Sequence, residues 1–329
     1  MATPAPQPTP AATPSPSAGA STPSAAPSVP ADYELVEFDV TSGSRPHDVA
    51  PGPDGTVWYT GQSNGTLGLL DPVSGLVIAE VDLGPGSAPH GVIVGADGAA
   101  WVTDSGRNEI QRIDGRSHEI TRYPLPGPNV NLNTAAFDGS GRLWFTGQGG
   151  AYGSVDPASG EVDVFEAPRG RGPYGIAATP GGEVWFVSLA GNYLGRIDSS
   201  TGEVAIVAVP TAGQNARRVW SDSTGRLWVS EWDAGQLAMY DPAGEAWREW
   251  RLPGSGPRAY SVYVDELDLV WLTDFGSNSI VRFDPATETF LSIPIPSADA
   301  SVRQMLGRPG EVWGAGSGTD KLIVLRPRP

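Results

Sequence analysis

From residue 33 onward, runs of strand length in which apolar and polar residues alternate are separated by turns rich in Gly, Asp, Asn and Ser. A period of two residues bounded by such turns reads as half-buried β-strand. One unit reads HGVIVG (90–95), a turn ADGA, AWVTD (100–104), NEIQRID (108–114) and EITRYPL (119–125), which predicts four strands with the first innermost. The unit recurs. Trp58, Trp101, Trp144, Trp185, Trp228, Trp271 and Trp313 stand 43, 43, 41, 43, 43 and 42 residues apart, in TVWYTG, AAWVTD, RLWFTG, EVWFVS, RLWVSE, LVWLTD and EVWGAG. A period of about 40–45 residues with four strands per unit marks a β-propeller. The expected fold is therefore all-β, a seven-bladed β-propeller of four-stranded blades over residues 32–329. Each repeated Trp is expected to pack between blades, where burying its ring contributes roughly 2–3 kcal/mol.

The ends of the pattern predict how the ring closes. KLIVLRP (321–327) is a third strand with no fourth behind it, and YELVEFDV (33–40) is a strand with no blade. Pairing the two completes blade seven and removes exposed edges. Residues 1–31 are almost entirely Ala, Pro, Ser and Thr and carry no charge. Too little apolar surface is present there to offset backbone ordering at roughly 1–2 kcal/mol per residue, so a disordered tether is expected. Such tethers suit exported proteins, whether periplasmic, surface-tethered or secreted, after removal of a signal or lipoprotein segment. The absence of cysteine among 329 residues is compatible with export. No apolar run reaches membrane-spanning length. With 21 basic against 37 acidic residues and a formal charge of −16, no basic footprint for nucleic acid exists. A monomer acting on a small molecule is expected.

A propeller places its chemistry on the central channel. Eleven residues before the Trp, and ten in blade seven, one position reads His47, His90, Asn133, Tyr174, Arg217, Tyr260 and Arg303. A core position would be apolar throughout, whereas this one is polar every time, as expected of a ring facing a ligand. Two of the chain's three histidines fall on it in neighbouring blades. Imidazoles can take and return a proton near neutral pH, which makes His90 a candidate base and His47 its support, with activity rising through roughly pH 6–7. Three residues after the Trp stand Gly61, Asp104, Gly147, Ser188, Glu231, Asp274 and Gly316. Asp104 is placed to orient His90. Asp104, Glu231 and Asp274 are candidate oxygen ligands for Mg²⁺ or Ca²⁺, or are satisfied by backbone N–H groups instead. His118 lies in an outer turn and reads as solvated surface.

The runs PHGVIVGADGAAWVTDSGRNEIQRI with EITRYPLP (89–126) and PYGIAATPGGEVWFVSLAGNYLGRI (173–197) resemble the repeats of the streptogramin B lyase family. The resemblance spans residues 33 to 327 and implies a single seven-bladed propeller. It also implies opening of a cyclic depsipeptide by elimination, with a general base taking the α proton and Mg²⁺ holding the developing enolate. The family's histidines belong to the last two blades, flanked by acids. Here those blades offer Tyr260 and Arg303, with Ser301 and Gly316 or Ser317 in the acid positions. His47 and His90 give a set rotated to blades one and two, with Ala88 where an acid is expected.

Two other functions fit the same residues. A non-catalytic binding propeller would use Asn133, Tyr174 and Tyr260 with Arg217, Arg258 and Arg303, whose guanidinium forks suit carboxylates. A metal-dependent lactonase of the gluconolactonase kind would use Asn133, Asp104 and Glu231. Convergence of His47, His90 and Asp104 is the feature that separates enzyme from binder.

Overall fold

The computed structural model describes residues 29–52 and 54–328. Most of the expected tether, residues 1–28, lies outside them. All regular elements of the described residues are strands, grouped in seven four-stranded antiparallel sheets. The chain is an all-β, seven-bladed propeller, and among the described residues no helix is long and apolar enough to cross a membrane.

The alternation expected from the sequence survives where one face of a strand meets solvent, as in Leu76–Asp82 at the outside of blade one. It disappears in the second strand of each blade, such as Val57–Gly61, where every residue, Glu311 of blade seven excepted, is buried because blades pack on both faces. The seven repeated tryptophans are all buried at 3% exposure or less. Three indole N–H groups donate to an Asp at the turn before their strand: Trp144 to Asp138, Trp228 to Asp222 and Trp271 to Asp265. That contact explains why Asp recurs in those turns.

Blade seven closes as the sequence predicts. Tyr33–Asp39 pairs antiparallel with Lys321–Pro327, Tyr33 opposite Pro327 and Asp39 opposite Lys321. The lysine ammonium meets Asp39 at 2.6 Å. Folded chain begins slightly earlier than expected, since Val29 packs against the core cluster that contains Ile323 and Leu325.

One irregularity is repeated in every blade. In blade one Pro46 pairs with Gly61 and Val49 with Tyr59, so His47 and Asp48 together face the single residue Thr60. The same two-against-one bulge interrupts the inner strands of the other six blades at the ring position. A bulge bends the strand and re-aims its side chains. It also frees a backbone N–H, which a hydroxyl catches. Asp48 N–H donates to Thr60 Oγ1 at 3.0 Å, and Thr60 donates in turn to the His90 carbonyl of the next blade. Gly91, Thr103 and Asn133 repeat the chain of bonds, as do Arg218, Ser230 and Tyr260. Inner strands lie so close that a Cβ on Gly91 would sit 2.8 Å from the Asn133 carbonyl oxygen.

Candidate functional site

The ring residues fill the channel. His47 and His90 lie with ring centroids 3.8 Å apart and tilted by 44°. The His47 Nδ1 is 2.7 Å from Asp48 Oδ1, and Arg218 Nη2 reaches the same oxygen at 3.1 Å from blade five. A carboxylate only accepts, so Nδ1 carries the His47 proton and Nε2 keeps a free lone pair. The Asn133 amide lies 3.2 Å from His90 Nε2. If the amide donates there, the His90 proton is on Nδ1, which is buried without a partner.

Burial holds both imidazoles well below their ordinary pKa. The guanidiniums of Arg218 and Arg303 lower His47 further, and His47 itself lowers His90. Both rings are therefore neutral at pH 7. Burial also pushes the Asp48 carboxyl up, while Arg218 opposes that shift. Burial by itself would lower Arg218, but Asp48, Tyr174 and Tyr260 lift it above its usual value. Asp48 and Arg218 stand as an ion pair, because either one alone would be an uncompensated charge at this depth.

The remaining ring residues close the mouth. The hydroxyls of Tyr174 and Tyr260 hydrogen-bond across the channel from blade four to blade six. Arg217 lies over Tyr174, Tyr260 and Trp232 at 5.3–5.6 Å from the ring centroids. Arg303 donates to Ser317 and reaches the Tyr260 hydroxyl at 3.4 Å. Phe275 stacks on Tyr260. Arg258 stands outside this layer, exposed and paired with Asp233 at 2.7 Å.

Of the two places expected for Asp104, it takes the one among backbone N–H groups and not the one beside His90. Its oxygens accept from Ser87 Oγ, from the backbone N–H groups of Ala88, Gly106 and Arg107, and from Gln111. It pins the loop leading into its blade, and its hydrogen bonds do not include His90. Asp274 does the same with Arg258 N–H, Gly276 N–H and Ser277. Glu231 is fully buried against Gln236 at 2.6 Å, and burial, aided by Glu249, pushes its carboxyl up to about 8. The sequence reading missed Asp48 and Arg218. Both directly follow a ring residue, so strand alternation turns them away from the channel, and the bulge turns them back. A Pro-His-Asp run at a bulge was the available signal for Asp48.

The virginiamycin B lyase family model matches residues 25–253, well over half of the chain. The chain belongs to the virginiamycin B lyase family. The match ends before blades six and seven, whose ring residues Tyr260 and Arg303 depart from the histidines expected there. Among solved structures, a streptogramin B lyase superposes with a TM-score of 0.83 at 23% identity, over 90% of this chain and 98% of that one. Virginiamycin B lyase from Staphylococcus aureus gives 0.83 at 22%, over 89% and 99%. A catalytically inactive variant of the Staphylococcus aureus enzyme with quinupristin gives the same values. At such identities the likeness is one of fold. A search of curated proteins finds no match.

Mg²⁺, implied by the family resemblance, does not suit this donor set. Asp104, Glu231 and Asp274 do not gather round a point; each is bound within its own blade. Among the described residues, the one group of three metal-ligating side chains with donor atoms within 4.8 Å of one another is His47, Asp48 and His90. Two imidazoles and one carboxylate are poor in oxygen for an ion that takes oxygens octahedrally. Asp48 is moreover already held by a guanidinium whose charge opposes a cation.

Proposed function

We propose that this propeller is a carbon–oxygen lyase acting on an ester-containing small molecule by elimination, from a site rotated to blades one and two. The observation that carries the reading is the His47–Asp48–Arg218 constellation: a base, the carboxylate that orients it, and a buried cation, all in the channel. His47, rather than His90, is the base, because Asp48 sets its tautomer and leaves Nε2 free. Nε2 takes a proton from a carbon α to a carbonyl. The electron pair forms a Cα=Cβ double bond as the Cβ–O bond of the ester breaks, giving an unsaturated carbonyl compound and a free carboxylate. Arg218 and Arg303 face the negative charge that develops on the carbonyl oxygen. His90 and Asn133 pack beside the base and exclude water. Substrate enters by parting the Tyr174–Tyr260 bridge, with Arg217, Trp232 and Phe275 as its outer contacts. The composition of residues 1–31 supports an exported protein.

The test is incubation of the full chain with virginiamycin B or quinupristin, followed by ultraviolet absorbance and mass spectrometry in ¹⁸O-labelled water. Elimination gives a conjugated double bond and no label in the product carboxylate. His47→Ala should then lower turnover on the order of 10²–10⁴-fold. Label in the carboxylate, or turnover indifferent to His47→Ala and His90→Ala, rules the mechanism out. Binding without turnover would favour the second reading, a propeller that holds an anionic ligand on the Arg217, Tyr260 and Arg303 face.

A further inference from the structure

The channel has a second mouth, and its chemistry is the reverse of the first. The ring residues stand at the starts of the inner strands. The ends of the same strands line an open cavity of about 390 Å³ that takes residues from all seven blades. The side chains on its wall are mainly apolar, Ile93, Val94, Phe137, Ile176, Trp220 and Leu306 among them, with polar backbone exposed between them. Concave sites of this size lined by hydrophobic and aromatic side chains are where small molecules bind.

The polar groups lie at its floor. A narrow cavity of about 20 Å³ shares Ile93, Ala135, Ile176 and Trp220 with the open one, and continues inward to Asp48, Arg218 and Gln304. That space admits a water molecule or a single polar head atom. Arg218 is 2% exposed, and its Nε and Nη1 have no partner; Gln304 is 7% exposed, and its Oε1 has none. A buried donor or acceptor without a partner is costly and calls for an explanation, and an anionic head would answer the Arg218 donors. Within the inner cavity Arg218 is paired with Asp48 through Nη2, and its two unpartnered nitrogens are the donors left over. Apolar side chains on the wall, over guanidinium donors that lack partners, complement one class of ligand.

We propose that the end of the channel opposite the ring binds a small apolar carboxylate, its tail against Trp220, Phe137 and Val94 and its head accepting from Arg218. This site is separate from the mouth through which the ester is proposed to enter, although Arg218 and Asp48 lie between the two. A free carboxylate is also what ester elimination releases, so the site would suit an apolar acid product or effector. Binding does not depend on turnover.

The experiment uses the full chain and octanoate, with 1-octanol and butyrate as controls for head and tail, read by calorimetry and by tryptophan fluorescence. Octanoate should bind saturably with one site per chain. Octanol, which lacks the charge, should bind about tenfold more weakly, and butyrate should be weaker than octanoate. Val94→Arg, which fills the cavity from its rim, should abolish octanoate binding while leaving thermal unfolding cooperative. Trp220→Phe, a milder change, should remove most of the fluorescence response while binding persists by calorimetry. His47→Ala should lose turnover and still bind octanoate, which distinguishes failure of this site from failure of the proposed reaction. Absence of octanoate binding would overturn the proposal and leave the inner cavity as a water site. Equal binding of octanoate and octanol would overturn the role given to Arg218, and unchanged binding in Val94→Arg would overturn the location.

Discussion

Arg218→Met tests the centre of the molecule. The change keeps most of the side-chain volume and removes the only guanidinium that hydrogen-bonds Asp48 among the described residues. Both side chains are 2% exposed and their charged atoms are 3.1 Å apart. At an effective dielectric constant of about 20 the lost attraction is about 5 kcal/mol. Breaking a buried pair from one side typically costs about 3–5 kcal/mol, which agrees. Asp48 can limit that loss by taking a proton. Its folded pKa, already raised by burial, rises further once Arg218 is gone. A group with a raised folded pKa contributes stability that is present at low pH and lost as pH rises through that value. The deficit of Arg218→Met against the native chain should therefore grow from pH 5 to pH 8. Asp48→Asn combined with Arg218→Met removes both charges and should recover most of the loss, giving a coupling energy of about 2 kcal/mol or more. Urea unfolding followed by tryptophan fluorescence measures all four corners of the cycle. A single-variant cost below about 1 kcal/mol, or additivity of the two substitutions, would refute the buried ion pair.

Thr60→Val should destabilise by about 1–3 kcal/mol, because the Asp48 N–H and the His90 carbonyl both lose the hydroxyl that joins them; a loss under about 0.5 kcal/mol in the same unfolding assay would remove that link from the account. The acid limb of any turnover should lie well below pH 6.5, not at pH 6–7 as an ordinary imidazole would give, since both histidines are held neutral by burial. The linked stability is complete above about pH 6.5 and is lost as pH falls below it toward the folded values; a limb centred at 6.5 or above would contradict buried neutral imidazoles. Glu231 shifts the other way, its stabilising contribution complete below its unfolded value and lost as pH rises through about 8. Glu231→Gln should therefore flatten any decline of stability between about pH 5 and 8, with a slope change of at most about 1.4 kcal/mol per pH unit, and an unaltered pH–stability curve would show that the carboxyl is already ionised in the folded protein.

The sequence by itself determined the architecture. Seven tryptophans at a nearly constant spacing, strands of alternating pattern and turns of Gly and Asp are local signals, and a propeller is a fold in which each blade repeats local rules. Closure was legible for the same reason: an unpaired strand at each end has one partner available. The ring from His47 to Arg303 could be listed from spacing, and the structure brings those seven residues to one layer of the channel. Arg258, which is not on that spacing, stands apart from it. Only the tertiary structure decided what the ring does. Asp48 and Arg218 are 170 residues apart and meet across the channel, and no periodicity announces a contact between blades one and five. The bulge breaks the alternation that would have assigned their direction, because two residues there oppose one. Asp104 was left between two readings for a related reason. Its position after His90 in the blade is a fact of sequence, but its oxygens are taken up by the N–H groups of the loop beside it, which a folded backbone presents and a linear pattern does not.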